Sequence, residues 1–147
     1  MEILPDSRPH YLLPHLLELP KLGAPDIGYI TVVELEKDLP FAVVRTFWTY
    51  FTPESIVRGR HAHYRTEQVL VALAGRIIVT TERADGTLET FRLESPHVGL
   101  YIPPNVWHTM QYSHTAVQLV LASTSYDEQD YIRDYDRFQA IWHTPAR

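Results

Sequence analysis

Residues 68–93 read QVLVALAGRIIVTTERADGTLETFRL, and the pattern of this stretch decides the fold. Three β-rich segments, Gln68–Leu73, Arg76–Glu82 and Thr87–Leu93, follow one another, with Asp85-Gly86 supplying turn chemistry before the third. Branched and aromatic side chains suit a pleated, half-buried surface, and Asp-Gly accepts the backbone angles of a tight turn. Working outward, Val98–Ile102 and Ala116–Ser123 extend the pattern beyond Pro103-Pro104-Asn105, and Tyr29–Leu35 and Phe41–Phe51 extend it towards the N-terminus. Short strands at such spacing build an antiparallel sandwich or a small barrel, so the body reads as all-β.

The two ends differ from the body. Pro5, Pro9, Pro14, Pro20 and Pro25 crowd the start of the chain and bar a long helix or a central strand there. Residues 1–28 therefore read as an N-terminal arm and 29–147 as the domain. Tyr11, Leu12, Leu13, Leu16, Leu17 and Leu19 are too many apolar groups for a solvated tail, so the arm is expected to pack on its own domain or on a partner subunit. At the other end, Ser125-Tyr126-Asp127-Glu128 has the form of a capping box. Tyr131, Tyr135, Phe138 and Trp142 then recur at helical spacing, which predicts one C-terminal helix of about four turns.

A chain of 147 residues fits one core. Its net charge of −5 offers no attraction to a nucleic-acid backbone or an anionic membrane. The longest strongly apolar run, Val69–Ala74, is far below the ~18 residues that span a bilayer, and no secretory signal precedes it, so a cytoplasmic location is expected. Eight histidines stand beside no cysteine, which excludes disulfides, thiolate metal sites and thiol nucleophiles. In an extended segment side chains alternate, so His61 and His63 project to one face. His108, just after the turn Pro103-Pro104-Asn105, is a third imidazole that a barrel can bring beside them. Imidazoles with a pKa near neutrality are the usual proton-transfer groups.

Arg58-Gly59-Arg60-His61-Ala62-His63, with Gln68 five residues on, resembles the signature of the nucleotide-linked sugar 3,4-ketoisomerases. The likeness continues through Leu39-Pro40-Phe41, Arg45, Ser95-Pro96, Val98-Gly99-Leu100-Tyr101, Val106-Trp107-His108, Val120-Leu121-Ala122-Ser123, Tyr126-Asp127-Glu128 and Asp130-Tyr131-Ile132-Arg133, covering residues 28–141. The resemblance implies a cupin barrel or jelly roll acting without a cofactor on dTDP-4-keto-6-deoxyglucose in deoxyaminosugar biosynthesis. The keto group would move from C4 to C3 through an enediol. It further implies His63 as base, His61 and His108 as proton donor, orienting partner or oxyanion stabiliser, and a homodimer built partly through N-terminal strands. Arg45, Arg58 and Arg60 are the candidates for phosphate contact, because a guanidinium is a permanent bidentate donor. Gln68, an amide inside an apolar strand, needs a polar partner such as a substrate hydroxyl or a catalytic histidine. Trp107 and Met110 are expected to shape the pocket.

The chain departs from that pattern where the family carries active-site tyrosines. The segment here is Arg45-Thr46-Phe47-Trp48, with Tyr50 the nearest phenol. Tyr64 replaces a usual lysine, and the early turn is Pro25-Asp26-Ile27-Gly28. Two other readings stay open. His61, His63, Glu67 and His108 match a metal-dependent cupin set by residue type and spacing. A nucleotide-sugar-binding cupin without catalysis is the second.

Overall fold

The computed structural model describes residues 13–35 and 37–142. The arm up to Leu12 lies outside the described residues, as does the side chain of Trp142. Among the described residues, twelve strands precede one α-helix: β1 (His15–Glu18), β2 (Lys21–Ala24), β3 (Gly28–Thr31), β4 (Arg45–Tyr50), β5 (Val57–His63), β6 (Gln68–Ala74), β7 (Ile77–Glu82), β8 (Leu88–Leu93), β9 (Val98–Ile102), β10 (Trp107–Tyr112), β11 (Val117–Ala122), β12 (Tyr131–Ile132) and α1 (Tyr135–Trp142). One five-stranded sheet has the order β1-β9-β6-β11-β4, a second has β12-β5-β10-β7-β8, and β2 and β3 form a separate hairpin. The pairings are antiparallel, as a jelly roll requires. The all-β, cupin-like expectation therefore holds.

Alternation assigns the faces. Gln118, Val120 and Ala122 of β11 are buried, whereas Val117, Leu119 and Leu121 between them are half-buried. The inner faces of the two sheets share a core that includes Leu70, Ile77, Val79, Leu93, Leu100 and Val120. Burial of each such side chain contributes about 1.5–3 kcal/mol. The outer face of the first sheet holds a second cluster around Leu19, Val69, Val71 and Tyr101, so the end of the arm does pack on its own domain. Its strand β1 pairs only along the sheet margin, against β9, which accords with the proline-rich sequence around it.

Among the described residues the C-terminal helix starts at Tyr135 and holds eight residues, instead of the four turns its spacing predicts. Asp127, not Ser125, caps a short 3-10 turn at Glu128–Asp130 by accepting from the Gln129 amide. Tyr131 and Ile132 then leave the helical path and pair with His63 and Ala62 of β5. Two ladder positions on an otherwise open strand outcompete one more helical turn, because they satisfy backbone groups and bury Ile132 against Ala62 and Phe138. Among the described residues no helix is long and apolar enough to cross a membrane.

Candidate active site

Strand register brings the three histidines together. His61 on β5 lies directly across from His108 on β10, and directly paired residues share a face. The ring centroids of His61 are 5.0 Å from His63 and 4.7 Å from His108, and one ring nitrogen from each residue lies within 4.8 Å of the others. They adjoin an inter-sheet cavity of about 240 Å³, whose wall includes Arg58, His61, Gln68, His108, Met110 and Tyr131. His63 sits behind that wall, 2% exposed, with its Nε2 3.4 Å from the Gln68 amide nitrogen.

A β-bulge sets which arginine joins them. Met110 pairs with Arg58 and His108 with His61, so two residues of β5 span what one residue, Thr109, spans on β10. Gly59 and Arg60 take positive φ values of 84° and 57° at this point. A Cβ on Gly59 would lie 2.9 Å from the His108 carbonyl oxygen, so only glycine fits. The bulge turns Arg58 into the cavity, and Arg60 is exposed and forms no part of its wall. Arg45, opposite Ala122 on the inner face, stands level with Gln68 near His63, and its buried Nε makes no hydrogen bond to any described residue.

Trp107 is corrected by strand parity. One residue from His108, it points to the other face, where its ring packs 5.7 Å from Phe138 and 5.2 Å from Tyr135 beneath α1. Met110 lies in the cavity wall. The four-ligand metal set is corrected for the same reason as Trp107. Glu67 precedes the inward-facing Gln68, turns to the opposite face, and accepts a 2.6 Å hydrogen bond from the Tyr101 hydroxyl. The remaining trio of imidazoles suits a transition metal by ligand type, without a carboxylate.

Asp130 escaped the sequence reading, although its motif was in view. It is 3% exposed and accepts from His63 Nδ1 at 3.1 Å, from the Arg65 amide at 2.7 Å, from the Thr66 amide at 3.2 Å and from the Thr66 hydroxyl. Burial works against its charge, but these donors prevail and hold its carboxyl below the ordinary range. Tyr131, Arg133, Thr49, Tyr112 and Gln118 also line the cavity and were not foreseen. Helical spacing predicts a helix at Tyr131, and only the pairing of β12 with β5 places that residue beside His63.

The hydrogen bonds define the proton inventory. A carbonyl or carboxylate oxygen only accepts, so Nδ1 must donate from His61 to the Gly59 carbonyl, from His108 to the Val106 carbonyl and from His63 to Asp130. Each neutral ring therefore keeps a basic Nε2. Burial, reinforced by the neighbouring His63, lowers His61 to about 4. Burial and then His108 lower His63 to about 4 despite Asp130, and burial and then His61 lower His108 to about 3. The unfolded chain takes up these protons near the usual value of 6.5, so it binds more protons than the folded chain between there and about 4. Stability is then complete above about pH 7 and falls as pH drops through that window. Calorimetric Tm should be flat between about pH 7 and about pH 8 and lower by several degrees at about pH 5; a Tm unchanged down to pH 5 would contradict the buried neutral trio.

The family model FdtA, described as WxcM-like, C-terminal, matches residues 14–143. The chain belongs to the FdtA family. It is 44% identical over 114 residues to the TDP-4-oxo-6-deoxy-alpha-D-glucose-3,4-oxoisomerase of Aneurinibacillus thermoaerophilus, covering 76% of this chain and 81% of that protein. The crystal structure of QdtA, a sugar 3,4-ketoisomerase of Thermoanaerobacterium thermosaccharolyticum in complex with TDP, superposes with a TM-score of 0.84 at 35% identity, covering 88% of this FdtA-family chain and 94% of QdtA. A histidine-to-asparagine variant of QdtA in complex with TDP-4-keto-6-deoxyglucose superposes with a TM-score of 0.83 at 34% identity, covering 88% and 93%.

Proposed function

We propose that this chain is a TDP-sugar 3,4-ketoisomerase that moves the keto group of TDP-4-keto-6-deoxyglucose from C4 to C3 in deoxysugar biosynthesis, using histidine acid/base chemistry. The observation that carries the proposal is the converging trio of neutral imidazoles, each with Nδ1 tied to a fixed acceptor and Nε2 left basic. The C4 carbonyl acidifies the proton on C3. His63 Nε2 removes that proton, the electron pair forms a C3–C4 double bond, and negative charge develops on the C4 oxygen. The C4 oxygen takes up a proton to become a hydroxyl, the C3 hydroxyl gives up its own to become the ketone, and a proton adds at C4, so no net redox change occurs. Asp130 orients His63 and stabilises the imidazolium that forms, and His61 and His108 flank the reacting carbons. Arg45 and Arg58 meet the diphosphate; Arg60 and Trp107 lie outside the cavity wall.

The reading extends to a cytoplasmic homodimer without a cofactor. Support for the dimer is apolar surface that one subunit leaves open: Leu22 is 58% exposed, Ile30 65% and Trp48 59%, beside a second cavity of about 440 Å³ lined by Val71, Leu119 and Leu121 on the outer face of the first sheet.

Incubation with TDP-4-keto-6-deoxyglucose in D₂O, with chelator present, tests the function. NMR should show a 3-keto product and deuterium at the exchanging carbons. Binding of TDP with neither product nor exchange would leave a nucleotide-sugar-binding protein, and activity lost to the chelator would point to a metal on the trio.

A further inference from the structure

Two phenols line the cavity, Tyr112 and Tyr131, and their surroundings differ. Tyr112 donates its hydroxyl to Gln118 Oε1, and burial pushes the phenol up to about 12. That hydroxyl is committed to the protein. The Tyr131 hydroxyl makes no hydrogen bond to any described residue, although the side chain is half-buried beside the bases. Its ring centroid is 4.4 Å from that of His63 and 5.0 Å from that of His61.

The position of Tyr131 is fixed from two sides. Its backbone pairs with that of His63, which sets the side chain on the same face as the imidazole. The Arg133 guanidinium covers the ring 4.2 Å from its centroid and is itself held by Glu128 through 2.6 Å and 3.0 Å hydrogen bonds. Strand β4 presents Phe47 to the cavity, and its Tyr50 is exposed. Phe47 cannot donate a hydrogen bond, whereas the Tyr131 phenol can, and it stands beside the bases.

We propose that Tyr131 is a catalytic residue whose hydroxyl donates to the sugar C4 oxygen as the enediolate forms. The proposal rests on the isomerase reading. As the C3–H bond breaks to the histidine nitrogen and the C3–C4 double bond forms, the pair from the C4 carbonyl moves to oxygen, where the Tyr131 O–H meets it. The hydrogen bond strengthens with that charge and so acts in the transition state more than in the ground state. No oxidant, reductant or co-reactant is consumed.

Tyr131→Phe keeps the ring between His63 and Arg133 and removes only the donor. With TDP-4-keto-6-deoxyglucose, kcat should fall by about 10²–10³-fold while KM and calorimetric affinity for TDP stay within about threefold. A kcat within about threefold of wild type would overturn the proposal. So would a parallel loss of TDP affinity, because the substitution would then have damaged the site instead of removing one donor. Wild type measured alongside separates the two readings: no turnover by wild type defeats the isomerase assignment, whereas active wild type with equally active Tyr131→Phe defeats only the role of Tyr131.

Discussion

Replacing His63 with asparagine should lower kcat on TDP-4-keto-6-deoxyglucose by at least about 10³-fold and abolish deuterium exchange at C3, with TDP affinity within a few-fold of wild type. The asparagine amide can still donate to Asp130, so the buried acceptor keeps a partner and the fold is retained. What is lost is a nitrogen base: an amide oxygen accepts a hydrogen bond but does not take a proton near neutral pH. The large effect follows from burial. His63 is 2% exposed, so water has poor access to the place its ring vacates and is a weak substitute for the lost base. Stopped enzymatic assays and NMR exchange on the same preparation check both halves. If kcat stayed within tenfold of wild type, His61 or His108 would be the base, since each also presents a basic Nε2.

Asp130→Ala should be the most damaging single change to stability, at about 3–5 kcal/mol, and should remove activity as well. The alanine leaves the Arg65 and Thr66 amides and His63 Nδ1 without their acceptor in a buried site. Each orphaned donor costs about 1–3 kcal/mol, and partial relaxation keeps the sum below the full total. The Thr66 hydroxyl suffers least, because it already lies 2.6 Å from the Thr124 hydroxyl. Tm should fall by roughly 10–20 °C. The activity loss has a separate origin, since without the carboxylate His63 is free to carry its proton on Nε2, where it no longer acts as a base. Asp130→Asn separates the two effects: it keeps one acceptor oxygen, so Tm should recover in part while kcat remains low. Equal Tm for wild type and Asp130→Ala would show that the network contributes nothing to the folded state.

Much of this molecule is legible in its residues. The β-rich composition of Gln68–Leu73 and Arg76–Glu82, bounded by turn chemistry, marks the strands that form as β6 and β7. Alternation puts His61 and His63 on one face, because it is a property of the extended backbone and needs no neighbour. It also holds for Trp107 and Glu67: Trp107 is one residue from His108 and Glu67 one from Gln68, so each faces away from the cavity. The periodicity of Tyr131, Tyr135 and Phe138, by contrast, misleads. It describes a face that α1 does use from Tyr135 onward, but Tyr131 lies within reach of an open edge of β5, and pairing there wins.

Sequence alone therefore determined the all-β body, the paired histidines and a third imidazole able to join them, since each rests on local spacing or on turn chemistry. Tertiary structure decided what the histidines work with. The bulge at Gly59-Arg60 shifts the parity of β5 by one, which aims Arg58 into the cavity and leaves Arg60 outside. Asp130 reaches His63 from 67 positions along the chain, and Tyr131 does so through β12. Neither encounter is encoded in local spacing, because both depend on where a two-residue strand finds a free ladder in the finished sheet.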